Sequence, residues 1–132
     1  KPAEDPAEKM RKFLEEKISK WIKRKVKNAK KKGIVMGLSG GIDSAVVAVL
    51  CKRAVGRKNL LCLILPCESQ RIDIEDAKMV AKKYNINTKT IDLTKIYKNL
   101  SKLLPRGDRL SQSNLKPRLR MLTLYYFANK LF

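Results

Sequence analysis

Residues 34–55 limit the fold of this chain more than any other stretch. Ile34–Leu38 is short, apolar and β-compatible, and it runs directly into Ser39-Gly40-Gly41-Ile42-Asp43-Ser44. Ile42–Val55 then reads as a helix that is apolar nearly all round, through Ala45, Val46, Val47, Ala48, Val49 and Leu50. A strand that turns through glycines into a helix built to lie on a sheet is the start of a βαβ unit. The pattern repeats downstream. Leu60–Leu65, closed by Pro66, suits a central parallel strand buried on both faces. A helix is expected around Ile74–Tyr84, with Glu75 and Asp76 in its first turn, followed by a third strand over Thr88–Leu93. Thr94–Leu104 reads as a helix stopped by Pro105 and Gly107. A last helix is expected from about Ser111–Asn114 to Leu131, with Pro117 in its first turn.

Before the first strand, Met10, Phe13, Leu14, Ile18, Trp21, Ile22 and Val26 recur at three- and four-residue steps. This periodicity predicts one amphipathic helix from about Asp5 to Lys31, ended by Gly33. The chain of 132 residues is enough for one modest domain. Residues 1–32 would form the N-terminal helix and residues 33–132 an α/β core. The fold class is therefore α/β, a three-layer α/β/α arrangement around a parallel sheet. In such sheets ligands bind outside the carboxyl ends of the strands, so the loops after Leu38, Pro66 and Asp92 should converge on one site.

Charge bears on the partner. The net charge is +19, which favours a polyanion, either nucleic acid or a phosphate-rich small molecule. Lys20–Lys32 holds eight basic residues and no acidic one. Trp21, Ile22 and Val26 carry the apolar stripe through it, so it reads as the solvated face of a helix and not as a nucleic-acid arm. No apolar run approaches the roughly 20 residues of a membrane span. Cys51, Cys62 and Cys67 form an odd set without Cys-x-x-Cys spacing, which fits neither a disulfide framework nor a zinc site and suits a reducing cytoplasm. Cys67 reads as filler.

The hexapeptide Ser39–Ser44 carries the chemistry. Two glycines let the backbone turn tightly with no Cβ in the way of a phosphate, and the N-terminus of the next helix faces the anion. Ser39 and Ser44 add hydroxyl donors. Asp43 repels phosphate and makes sense there as a magnesium ligand, with the metal bridging carboxylate and phosphate. The Walker spacing with its lysine and the Gly-x-Gly-x-x-Gly fingerprint are both absent.

This loop resembles the Ser-Gly-Gly-x-Asp-Ser signature of the ATP pyrophosphatases, whose adenine-nucleotide-hydrolase-like fold is expected here. Members cleave ATP between the α- and β-phosphates, adenylylate a carboxyl or carbonyl oxygen, and let an amine displace AMP. On that resemblance Gly37, Leu38, Ser39, Gly40, Gly41, Ile42, Asp43 and Ser44 bind ATP and Asp43 holds Mg2+. Leu65-Pro66 with Glu75-Asp76-Ala77, and Asn114-Leu115-Lys116-Pro117-Arg118-Leu119-Arg120-Met121, are similar to segments of the ammonia-dependent NAD synthetases. There the first arginine of the Arg-x-Arg pair is matched to deamido-NAD, which maps onto Arg118, with Asn114 and Arg120 as further candidates. The implied reaction is ATP-dependent amidation of deamido-NAD to NAD by ammonia, in a homodimer, in the cytoplasm.

Other ATP pyrophosphatases, such as a GMP synthetase or a tRNA-modifying enzyme, and a non-catalytic nucleotide-binding fragment, are the alternatives. The sequence has no histidine to partner an amidotransferase cysteine, so ammonia is expected free or from another subunit. The resemblance spans roughly Trp21–Leu131. The family pattern continues with a further strand and a Thr-Gly-rich segment that supplies a second magnesium ligand, an ATP-contacting threonine and substrate-gripping lysines. The sequence is thus expected to be an N-terminal half that does not make NAD alone.

Overall fold

The computed structural model describes residues 2–132. Its first helix, α1 (Pro6–Asn28), starts where the Asp5 carboxylate accepts the Ala7 N–H at 3.1 Å. It ends earlier than expected, and not at Gly33. Lys30 takes a left-handed φ of 56°, with Lys30 N–H to Lys27 O and Lys31 N–H to Val26 O closing a Schellman motif. Gly33 is required for a different reason. A Cβ there would run into the Phe132 ring and the Asn59 carbonyl.

Strand β1 (Ile34–Gly37), helix α2 (Ile42–Val55), a short 3-10 turn (Arg57–Asn59) and strand β2 (Leu60–Ile64) follow. Then come α3 (Arg71–Lys83), β3 (Thr88–Thr90), α4 (Thr94–Leu103), α5 (Arg109–Ser113) and α6 (Leu115–Leu131). Both strand pairs are parallel and the sheet order is β1-β2-β3, with Ile34 opposite Leu60 and Cys62 opposite Thr88. β3 is half the expected length, although Ile91 N–H and Leu93 N–H still bond across to Ile64 O and Pro66 O before the chain turns into α4. The expected last helix is two helices: Asp108 caps α5, and Asn114 ends α5 and begins α6.

Side-chain alternation on β2 separates two cores. Leu60, Cys62 and Ile64 meet Ala48 and Cys51 of α2 and Ala77 and Ala81 of α3, with Ile22 of α1 at the margin. Leu61 and Leu63, joined by Leu65 just beyond the strand, meet Leu93, Tyr97 of α4, and Leu119, Leu124 and Phe127 of α6. Three layers, α/β/α, result. All five residues of β2 are buried, the state its unbroken apolar run implies. Burying each of its leucines is worth about 1.5–3 kcal/mol.

Helix α2 departs from expectation. It is apolar nearly all round, yet only the Ala48, Cys51 and Ala54 line is buried, while Val46 and Val47 remain half exposed. Small residues on the inner line bring α2 close to β2, and α1 covers only part of its outer side.

Candidate functional site

The loop after β1 is held by its own side chains. Leu38 N–H donates to Leu63 O at 2.8 Å, tying the strand end to β2. Ser39 N–H donates to Ser44 Oγ at 3.1 Å, the two hydroxyls lie 3.0 Å apart, and Ser44 Oγ–H donates to Gly41 O at 3.2 Å. Gly41 N–H reaches Ser39 Oγ at 3.4 Å. One consistent donor order runs through all four, from the Ser39 hydroxyl to Ser44 Oγ and from the Ser44 hydroxyl to Gly41 O. The loop is therefore preorganised, and no side chain caps the first turn of α2.

The glycines differ in what they do. Gly40 has φ +87°, and a Cβ on it would strike the Asp73 carbonyl of α3. Its smallness serves the protein's own packing. A Cβ at Gly41 would meet only Ser39 Oγ at 3.5 Å, and one at Gly37 nothing within 4 Å. Gly41 sits in ordinary contact with the Ser39 hydroxyl, and Gly37 borders open space.

That space is a cavity of about 330 Å³ at the carboxyl ends of β1 and β2. Gly37, Leu38, Ser39 and Ser44 form one wall, and Leu63 to Pro66 form the floor. Ser69, Asp73 and Ile74 come from the loop after β2 and the start of α3, and Arg120 and Leu124 from α6. The first two of the three loops expected to converge do so. The residues after β3 instead line a separate depression around Asp92 and α4.

The candidate residues divide in the same way. Arg120 is half-buried in the wall, where Nε donates to Leu65 O at 3.0 Å and a terminal nitrogen to Ser69 Oγ at 3.4 Å. Arg118 is exposed outside it, its guanidinium 3.9 Å from Met121 Sδ. Asn114 is also exposed, its amide bonded to Leu110 O at 3.1 Å. Asp43 and Ile42 sit exposed in the first turn of α2 and do not line the cavity.

Two cavity residues escaped the sequence reading, Ser69 and Asp73. Starting α3 at Ile74 put Glu75 and Asp76 in its first turn. The helix starts three residues earlier, which makes Asp73 the first-turn acid and leaves Glu75 paired with Arg71 at 2.9 Å. Gln70 at the N-cap makes no side-chain cap, so no capping residue marked the start.

The floor is braced from α6. Glu68, in the loop after β2, adopts φ 56°, a left-handed conformation that a non-glycine residue holds only when its surroundings compel it. Its N–H donates to Thr94 Oγ1 at 2.9 Å, and its carboxylate pairs with Lys116 Nζ at 3.2 Å. Cys67 beside it is buried among Leu61, Leu63, Leu65 and Leu93, and burial raises its thiol pKa. It fills the core, as expected.

A parallel α/β sheet with helices on both faces and a cavity at the carboxyl ends of its first two strands is the class of α/β domain that places its ligands at that edge. Comparison with known proteins narrows the class. The sequence model described as NAD synthase matches residues 14–132, and the chain belongs to that family. The NH3-dependent NAD+ synthetase of Finegoldia magna is 47% identical over 114 residues, covering 86% of this chain and 47% of that protein. The solved NH3-dependent NAD synthetase of Campylobacter jejuni superposes with a TM-score of 0.81 at 37% identity, covering 89% of this chain and 52% of that one. The NMN synthetase of Francisella tularensis superposes at 0.80 with 33% identity, covering 90% and 50%. The chain thus spans about half the length of the relatives it matches.

Proposed function

We propose that the protein amidates deamido-NAD to NAD with ammonia, using ATP to adenylylate the carboxylate and releasing AMP and pyrophosphate. The observation that carries this reading is the self-braced Ser39–Ser44 loop on the rim of the 330 Å³ cavity, in a chain of the NAD synthase family. The loop's N–H groups and hydroxyls would hold the leaving pyrophosphate, where negative charge grows as the α–β bond breaks. Open space beside Gly37 supports a ligand there. Arg118, exposed outside the cavity, would meet a carboxylate or phosphate of deamido-NAD with its planar fork, and Asn114 and Arg120, both already bonded within the chain, are the further candidates.

A magnesium ion fits the donors, which are hard oxygens only: the Asp43 carboxylate in the first turn of α2 and Asp73 at the cavity wall. Among the described residues no group of three or more acidic, His or Cys side chains could cage a metal. This suits magnesium, which takes one or two carboxylates and completes its shell with water and substrate phosphates. Bound there, the ion would neutralise phosphate charge.

Among the described residues no helix is long and apolar enough to cross a membrane. A cytoplasmic site is proposed on Cys51, Cys62 and Cys67, an odd set of buried cysteines without a disulfide-framework spacing. A homodimer is proposed on α6, whose Leu119, Leu124 and Phe127 cover the sheet while Leu122, Tyr125 and Tyr126 remain exposed. Sedimentation at tens of micromolar is expected to show a dimer, and a monomer would argue against it.

The 33% identity to the F. tularensis NMN synthetase favours a second reading, in which the carboxylate belongs to a mononucleotide. Calorimetry with ATP and magnesium is the primary test. ATP is expected to bind, and Asp43→Asn is expected to remove the magnesium dependence of binding while leaving circular dichroism native. Magnesium-dependent binding that survives in the variant would overturn the role of Asp43. Titration with the dinucleotide against the mononucleotide then decides between the two acceptors.

A further inference from the structure

We propose that α4 carries a second phosphate site, distinct from the Ser39–Ser44 loop, that takes a linear di- or triphosphate chain. A depression of about 480 Å³ lies along this helix, lined by Asp92, Thr94, Lys95, Lys98, Asn99 and Lys102. At 100° per residue the three lysines fall within roughly 60° of arc, and they span about 10 Å of the helix axis. On the opposite side of α4, Tyr97 packs partly against the cluster below the sheet. Among the described residues none of the three lysines takes part in an ion pair, although seven other pairs form. The one carboxylate in the lining, Asp92, is occupied in accepting the Thr94 N–H at 2.9 Å.

The lining also specifies the chemistry. Three ammonium groups and the Asn99 amide can all donate to phosphate oxygens. No aromatic or aliphatic side chain lines the depression, so nothing there would stack a base. Sites for single-stranded nucleic acid combine a basic groove with aromatic platforms, and this one has only the charge. A single phosphate cannot engage lysines spread over two turns, whereas a phosphate chain can. The site stands on its own residues and does not depend on the reaction proposed above, although that reaction releases a diphosphate.

The test uses inorganic tripolyphosphate with the purified chain. In the wild type, amide NMR shifts are expected in two separate groups, at Ser39–Ser44 and at Lys95–Lys102. The variant Lys95→Gln/Lys98→Gln/Lys102→Gln is expected to weaken the second site at least about tenfold and leave the first unchanged. Ser44→Ala should do the reverse, so failure of the loop and failure of the α4 site are separable. The control Lys27→Gln/Lys31→Gln/Lys32→Gln removes the same charge from the end of α1 and the turn after it. An equal loss in that control would reduce the effect to the field of the whole molecule and overturn the proposal. So would the absence of shifts on α4, or displacement of tripolyphosphate by oligouridylate at lower concentration, which would make the site one for RNA.

Discussion

At the scale of single residues, Gly40 and Gly41 are adjacent in sequence and opposite in purpose. Gly40 meets two constraints of the folded protein, its φ of +87° and the approach of the Asp73 carbonyl. Gly40→Ala is therefore expected to cost at least about 1–2 kcal/mol of stability, the ordinary penalty of a left-handed L-residue with the clash added. Gly41 has an extended φ of −77° and room for a Cβ. Gly41→Ala should cost about 0.5–1 kcal/mol, since alanine is a poorer N-cap than glycine, while weakening ATP through the methyl placed where phosphate would lie. Urea denaturation and ATP calorimetry on both variants check the pair. Equal stability losses would show that Gly41 too is demanded by packing. Ser19 has the opposite character, since its hydroxyl is buried in α1 with no hydrogen-bond partner among the described residues. It is a small residue that keeps a polar atom at some cost.

At the scale of elements, α6 joins the cavity to the rest of the fold. Arg120 fastens it to Leu65 O and Ser69, and Lys116 fastens it to the strained Glu68. The two links tie the loop after β2 to the first turns of α6. Arg120→Ala is expected to destabilise the chain by about 1–2 kcal/mol, since a half-buried guanidinium and the carbonyl it serves lose each other. Arg118→Ala should leave stability within about 0.5 kcal/mol, as an exposed substitution does. It should instead weaken deamido-NAD by about 1.5–3 kcal/mol, the worth of a hydrogen bond to a charged group. Thermal denaturation beside calorimetry separates the two. If Arg118→Ala lowers ATP and deamido-NAD affinity equally, its role is general basic charge.

At the scale of the whole molecule, the two cores on either side of β2 make stability sensitive to alkali through the buried thiols. Burial pushes the Cys62 thiol up from 9.0 to about 12, with a smaller contribution from neighbouring Cys51. A raised folded pKa means that the folded state favours the protonated thiol. This contribution is complete below pH 9.0 and is lost as pH rises towards about 12. Cys62→Ala is expected to be less stable at neutral pH and to lose less stability than the wild type between these limits. Parallel pH profiles of the urea midpoint would check it, and identical alkaline slopes would refute it. Native-state labelling should also leave all three cysteines unmodified at neutral pH, since each is buried.

Local chemistry determined much of this protein from sequence alone. The unbroken apolar run of β2, the bounds of α2 and the serine-glycine loop between strand and helix each follow from neighbouring residues, because periodicity and glycine geometry act over a few positions. Tertiary contact decided the rest. The helix stop at Lys30 came from backbone hydrogen bonds available to many sequences, and the need for Gly33 came from Phe132, 99 positions away. The start of α3 carried no capping residue, so Asp73 reached the cavity unannounced. Arg118 and Arg120 are alike on paper, and only the packing of α6 on the sheet turned one into the wall and the other to solvent. Which face of a helix meets the core is set by the partner surface, and that surface exists only once the distant strands have paired.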